Sequence, residues 1–152
     1  MAGELYLVDS NVLIRWAQHQ DPSFKIVKES IKRFAQSGAL LCYTSQNLGE
    51  FWNVLTRPAD RNGYGLSPAE ADVRAREVEA RFRLLPDSLA VHLEWRRLLI
   101  NYGVSGVQVH DARLVAAMHV HGVKRILTFN ATDFVRFRDI EAVLPGNVPA
   151  IP

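Results

Sequence analysis

Two rhythms of apolar and polar positions run along this chain. Short unbroken apolar runs mark buried strands. Apolar residues three and four apart mark amphipathic helices. The first run, Leu5-Tyr6-Leu7-Val8, is rich in β-formers and ends abruptly at Asp9. Ser10 or Asn11 can cap a helix, and Val12, Leu13 and Trp16 follow at helical spacing. Asp21-Pro22-Ser23 is a turn and a new helix start. Phe24, Val27, Ile31 and Phe34 form the stripe of that helix, Lys25, Lys28, Lys32 and Arg33 lie off it, and Ser37-Gly38 ends it. A second apolar run covers 39–43. Thr44 or Ser45 then caps a helix carrying Leu48, Phe51, Trp52 and Leu55. Strand, helix, strand, helix predicts a parallel sheet with right-handed crossovers.

The second half follows the same alternation. Arg57-Pro58 stops a helix, and 59–65 is a loop with two glycines. Ser67-Pro68 with Glu70 opens a charge-dense helix to about residue 83. Leu84-Leu85-Pro86 can hold a short strand, and Asp87 or Ser88 starts a helix through Leu98-Leu99. A helix from about 111 to 121 closes at Gly122, with a strand predicted over 124–128. Residues 129–134 read as a loop or short helix, 140–144 as an edge strand, and 145–149 as irregular.

Composition narrows the class. With 152 residues the chain is expected to be one domain over 1–152 with a proper core. Hydrophobic residues at 48% and charged residues at 22% fit a globular protein in water. No apolar run is long enough to span a bilayer, and no basic segment followed by an apolar one directs export, so a cytoplasmic location is expected. The one cysteine, Cys42, cannot form an internal disulfide and reads as core filler. Net charge is +2 and the pI about 8.9, which permits nucleic acid as a partner without requiring it.

Acidic residues recur where strands give way to helices. Asp9 follows the first strand, and Glu50 sits one turn into the helix after the second. Asp111 opens the helix Asp111-Ala112-Arg113-Leu114-Val115, and Asn130 and Asp133 follow Ile126-Leu127-Thr128. In a parallel sheet these positions share one edge and can converge. Each has an ordinary alternative: Asp9 and Asp111 as helix caps, Glu50 as a surface residue. Asp111 also shares a helical face with Leu114, Val115 and Met118, where a carboxylate needs a partner or a cation. Carboxylates in one crevice repel and raise each other's pKa unless a hard divalent cation sits among them. Oxygen donors without cysteine favour Mg²⁺ or Mn²⁺ over Zn²⁺. Such a site supports metal-dependent phosphodiester hydrolysis, and its carboxylate oxygens should lie within a few ångströms of one another.

Four segments together resemble a known family: Val8-Asp9-Ser10-Asn11-Val12-Leu13, Asn47-Leu48-Gly49-Glu50-Phe51, His110-Asp111-Ala112-Arg113-Leu114-Val115-Ala116, and Leu127-Thr128-Phe129-Asn130-Ala131-Thr132-Asp133-Phe134. In this order they resemble the PIN-domain ribonucleases, in particular VapC-like toxins of bacterial toxin–antitoxin pairs. The likeness covers nearly the whole chain. It implies an α/β fold, a three-layer α/β/α sandwich around a central parallel sheet. It also implies an acidic Mg²⁺ (or Mn²⁺) site and cleavage of single-stranded RNA. By position, Asp9, Glu50 and Asp111 match the three core acids of the family. The fourth position departs from the acidic pattern: Asn130 stands there, and Asp133 comes one turn later. The expected catalytic set is Asp9, Glu50, Asp111 and Asp133, with Asn130 added as a metal ligand. Ser10, Asn11, Arg113 and Thr128 are the expected substrate contacts, and a surface salt bridge is the alternative for Arg113. The resemblance further implies a homodimer and a small antitoxin that presents Arg or Lys to the acids. The dimer patch is expected among exposed aromatics between Ser45 and Leu99.

Other readings have weaker support. His119 and His121 flank Val120, but they lie about 13 Å along the helix from Asp111 at helical rise, too far for a shared site. The helix dipole accounts for histidines near its C-terminus. An Asp-nucleophile phosphatase needs a second acid at position 11, which is Asn11. An inactive PIN-like scaffold draws support from Asn130 alone. Arg15, Arg57, Arg61 and Lys25 remain candidates for phosphate contact.

Overall fold

Strand β1 (Leu5–Val8) lies at the centre of the sheet because nearly every one of its side chains is buried, on alternating faces. The computed structural model describes residues 3–147. Beside β1 run β2 (Leu40–Thr44) and β4 (Arg125–Leu127), and the edges are β3 (Arg83–Leu85) and β5 (Glu141–Val143). The order is β3-β2-β1-β4-β5, and all pairs are parallel. Helices cover both faces, giving the expected three-layer sandwich. On one face α1 (Ser10–Ala17), α2 (Phe24–Ser37), α3 (Ser45–Thr56) and α4 (Pro68–Arg81) pack on Tyr6, Val8, Leu41 and Tyr43. On the other, α5 (Leu89–Asn101) and α6 (Gln108–His121) pack on Leu7, Cys42, Leu85 and Ile126. Successive β1 side chains thus feed opposite cores, the alternation a pleated strand imposes.

The strand order decides where a ligand can enter. From β1 the chain winds outward through β2 and β3, then crosses back to β4 on the far side of β1. The carboxyl ends of β1 and β4 flank this reversal, where open α/β sheets leave a crevice. Asp9 and Thr128 are the first residues beyond these ends, and the Asp9 amide still donates to the Leu127 carbonyl at 2.9 Å.

Local chemistry sets the element boundaries. Thr44 caps α3 in a reciprocal box: its hydroxyl accepts from the Asn47 amide at 3.1 Å, and the Asn47 side chain accepts from the Thr44 amide at 2.9 Å. Gly38 and Gly122 close α2 and α6 with positive φ of 81° and 71°. Three boundaries differ from the sequence reading. The charged helix ends at Arg81, because Phe82 turns inward and Arg83 pairs with Cys42. Strand β3 therefore starts one residue earlier than Leu84. Helix α6 begins at Gln108, so Asp111 lies in its first turn and does not cap it. In the tail, Pro145–Asn147 forms a 3₁₀ turn; residues 148 and 149 fall outside the described residues. No helix among the described residues is long and apolar enough to cross a membrane.

Candidate active site

Asp9 begins the site as the N-cap of α1, its Oδ1 accepting from the Ser10 amide at 2.8 Å. The cap and functional readings are therefore compatible. Its second oxygen accepts from the Thr128 hydroxyl at 2.8 Å. Thr128 Oγ1 also accepts from the Asn130 amide at 3.0 Å and from Asn11 Nδ2 at 3.3 Å. Asn11 Oδ1 in turn accepts from the Phe129 amide at 3.2 Å. These bonds lock the end of β4 to the start of α1 and fix the Asp9 rotamer. A carboxylate offers about four lone-pair sites, so Asp9 retains acceptor capacity.

Glu50 reaches the same place from the second turn of α3. Its Oε2 accepts from Ser10 Oγ at 2.6 Å, and that hydroxyl stands 3.3 Å from Asp9 Oδ1. Gln46, one turn earlier, donates one N–H to Glu50 Oε1 at 3.1 Å and the other to the His110 carbonyl at 2.9 Å. Gln46 thus ties α3 to the first turn of α6, where Asp111 sits. Asp9, Ser10, Asn11, Arg15, Glu50, Asn53, Tyr64, Asp111 and Asn130 line one cleft of about 490 Å³.

The electrostatics of this cleft are unfavourable to its own carboxylates. Burial pushes the Asp111 carboxyl up to about 6, and the charges of Asp9, Asp133 and Glu50 push the same way against Arg136. Burial also raises Asp9, with Glu50 adding to it, although the bonds from Thr128 and Ser10 oppose the rise. Asp9, Glu50 and Asp133 therefore all bear on Asp111, and all the ligating side-chain atoms of these acids are oxygens. That donor set fits a hard divalent cation and offers nothing for a soft one.

The structure departs from the sequence reading at several residues. Among the described residues no three His, Cys, Asp or Glu side chains are gathered tightly enough to hold an ion as they stand. The expected close clustering of carboxylate oxygens is therefore absent, because Glu50 is satisfied by Ser10 and Gln46. Asn130 lines the cleft, while Asp133, on the 3₁₀ turn Ala131–Phe134, acts on Asp111 from outside the lining. Thr128 is fully buried and lies outside the cleft lining, while Ser10, 8% exposed, lines the cleft, and both hydroxyls are committed to the acids. Arg113 points away and pairs with Asp87 at 3.4 Å, the surface salt bridge that was its alternative. Asn11 still lines the cleft, with its amide committed to Thr128 and Phe129. Sequence reasoning missed Gln46, Asn53 and Tyr64. Gln46 lay one helical turn before Glu50, the one hint available. The two paired histidines sit elsewhere: His119 contacts Glu94 at 2.6 Å and Asp139 at 2.7 Å, and His121 bonds the Pro86 carbonyl at 3.0 Å.

Comparison with known proteins bears on the fold. The PIN domain family model matches residues 6–140. No curated protein sequence matches the chain. Similar solved structures include VapBC2 from Rickettsia felis bound to a promoter DNA fragment, with 12% identity, a TM-score of 0.68, and 92% of this chain and 98% of that one covered. Mycobacterium tuberculosis VapC20, a toxin that cleaves the sarcin-ricin loop, has 15% identity and a TM-score of 0.63 over 87% of this chain and 94% of its own. VapBC-1 from nontypeable Haemophilus influenzae has 18% identity and a TM-score of 0.62 over 93% and 98%. At these identities the likeness is one of fold. The match over residues 6–140, laid on a parallel sheet with its acids at the strand reversal, makes this chain a member of the PIN domain family.

Proposed function

We propose that this chain is a divalent-metal-dependent endoribonuclease acting on single-stranded RNA, and the toxin of a toxin–antitoxin pair. One catalytic domain spans 1–152. The observation that carries this reading is the half-buried Asp111 carboxyl in a cleft at the strand reversal, raised to about 6 by burial and, further, by the charges of Asp9, Asp133 and Glu50. Structural frameworks rarely keep buried carboxylates in such company, because the arrangement costs stability. Nucleases of this family generally use divalent metal ions, and Asp9, Glu50 and Asp111 are the residues that would hold Mg²⁺ or Mn²⁺ here, with Asn130 and Asp133 at the rim. The bound cation supplies charge neutralisation for the phosphodiester and a more acidic water.

The side chains contribute the rest. Thr128 and Ser10 hold Asp9 in one rotamer, so little reorganisation is needed when substrate arrives. Ser10 and Gln46 hold Glu50 from both oxygens. Asp111, its carboxyl pushed up by burial and by the charges of Asp9, Asp133 and Glu50, would gain most from the charge of a bound cation. Arg15 lines the cleft with its guanidinium 4.9 Å from the Phe129 ring centroid, a position suited to an RNA phosphate.

Several structural neighbours are toxins in complex with their partners, among them VapBC2, VapBC-1 and FitAB bound to DNA. A small antitoxin is the partner expected of this chain. Its inhibitory group should be Arg or Lys, since only a cation pairs with Asp9, Glu50 and Asp111 and competes with the metal. The reading is tested with purified protein and labelled single-stranded RNA. Cleavage should require Mg²⁺ or Mn²⁺ and stop with chelator. Asp111→Asn should lower the rate at least about a hundredfold, the scale of losing one electrostatic group at the reacting centre, with an unchanged circular dichroism spectrum. Undiminished cleavage by that variant removes Asp111 from the reaction. If no RNA is cut with either metal, the inactive-scaffold reading takes its place.

A further inference from the structure

Tyr64 stands at the junction of two cavities. It lines the carboxylate cleft of about 490 Å³ and a neighbouring groove of about 650 Å³. Both volumes are in the range of small-ligand sites. The walls of the two also touch: Asp21 in the groove lies 3.9 Å from Arg15 in the cleft. The rest of the groove is mainly polar, with Gln18, His19, Gln20 and Arg74 among its lining.

The loop that carries Tyr64 is built to hold it still. The Tyr64 amide donates to the Val54 carbonyl at 3.1 Å, Gly65 to Arg57 at 2.9 Å, and Leu66 to Leu55 at 2.9 Å. Asn62 adopts a left-handed φ of 63°, and a Cβ on Gly63 would meet the Arg57 carbonyl oxygen at 1.9 Å. At its far end the Tyr64 hydroxyl donates to Asp21 Oδ2 at 3.2 Å. The ring is therefore fixed at both ends, yet 36% of the residue remains exposed. A rigid aromatic at the mouth of a nuclease cleft is costly as decoration, and well suited to stacking a base.

We propose that Tyr64 is a base-stacking platform for the nucleotide flanking the scissile phosphate, and that single-stranded RNA continues from the carboxylate cleft over Tyr64 into the groove beside Arg74. This rests on the ribonuclease reading above and adds a subsite to it. Stacking tolerates any base, while hydrogen bonds from Gln18, Gln20 and His19 can select among base edges. The groove contains Asp21 as well as Arg74, and Arg74 lies 3.6 Å from Glu77. Its charge is close to balanced, which fits a base better than a run of phosphates. An apolar helix from a protein partner would find only Pro22, Leu66 and the Tyr64 ring to pack on.

The test measures binding and cleavage together. Fluorescence anisotropy with a short labelled single-stranded RNA and Mg²⁺ is run in an Asp111→Asn background, and cleavage is run in the otherwise unaltered chain. Tyr64→Leu should weaken RNA binding about tenfold and raise KM by a similar factor, while Tyr64→Phe, which keeps the ring, should stay within about threefold. Arg74→Ala, a surface change that leaves the Tyr64 loop intact, should weaken binding by removing a wall of the groove. If the parent cuts RNA and Tyr64→Leu binds as tightly as the parent, the platform is overturned and the nuclease reading stands. If Tyr64→Leu and Tyr64→Phe lose equally, the tether to Asp21 matters and stacking is overturned. Unchanged binding by Arg74→Ala overturns the path into the groove. If the parent neither binds nor cuts single-stranded RNA, the subsite and the nuclease reading fall together.

Discussion

Asp111 shows how much one residue can reveal and how much it conceals. Its place on a core-facing stripe was readable from Leu114, Val115 and Met118, all of them buried. Its energetic cost was not, because that depends first on how deeply the fold buries it and then on Asp9, Asp133 and Glu50, from three other parts of the chain. The same limit hid the roles of Thr128 and Ser10. Both are ordinary polar residues in the sequence, and only the fold turns their hydroxyls onto Asp9 and Glu50. A measurable consequence follows for the metal-free protein. The Asp111 carboxyl is raised from its ordinary 3.8 to about 6, so it binds its proton more tightly folded than unfolded. Its contribution to stability is fully present below about pH 4 and is lost as pH rises through about 6. Asp111→Asn removes that loss. In chelator, the variant should be more stable than the parent at pH 7 by on the order of 1 kcal/mol, after discounting for solvent screening of a half-buried group. The gap should close towards pH 4. Thermal melts across this range check it, and a variant less stable than the parent at pH 7 contradicts it. Adding Mg²⁺ should then raise the midpoint of the parent and not of the variant.

Elements were legible where periodicity and punctuation agreed. Leu5–Val8 matches the reading residue for residue, and α2 ends at Gly38 as its left-handed cap requires. The misplaced boundaries have a common cause: a tertiary contact outweighed local propensity. Phe82 leaves the charged helix for the core, and α6 starts at Gln108 without any side-chain cap to announce it. The loop after α3 depends on Gly63. A Cβ on Gly63 would lie 1.9 Å from a backbone oxygen, so Gly63→Ala must displace main chain. Urea unfolding should show a loss on the order of 2 kcal/mol. RNA binding should fall with it, since Tyr64 is the next residue. An unchanged urea midpoint shows that this loop is not the rigid support described above.

At the scale of the whole molecule, the parallel sheet was readable from the alternation of strands and helices, while its order, which puts the reversal beside Asp9, was not. The surface was less legible. Aromatics between Ser45 and Leu99 were expected to form a dimer patch, but Phe51 and Phe82 are core, and Trp95 gives its indole N–H to the Val109 carbonyl at 2.8 Å. The exposed apolar face belongs instead to aliphatic residues of α5: Leu89, Leu93 and Ile100 share one side of that helix. The homodimer that the resemblance implies is therefore tested on that face. Light scattering at low micromolar concentration should give a dimer for the parent and a monomer for Leu93→Asp, and a monomeric parent ends the claim. The central claim is that the acids at the strand reversal form a divalent-metal site. Anomalous diffraction from crystals saturated with Mn²⁺ tests it most directly. A peak bounded by carboxylate oxygens of Asp9, Glu50 and Asp111 is the predicted result. Saturated crystals with no peak there, or with Mn²⁺ only elsewhere on the molecule, would contradict it.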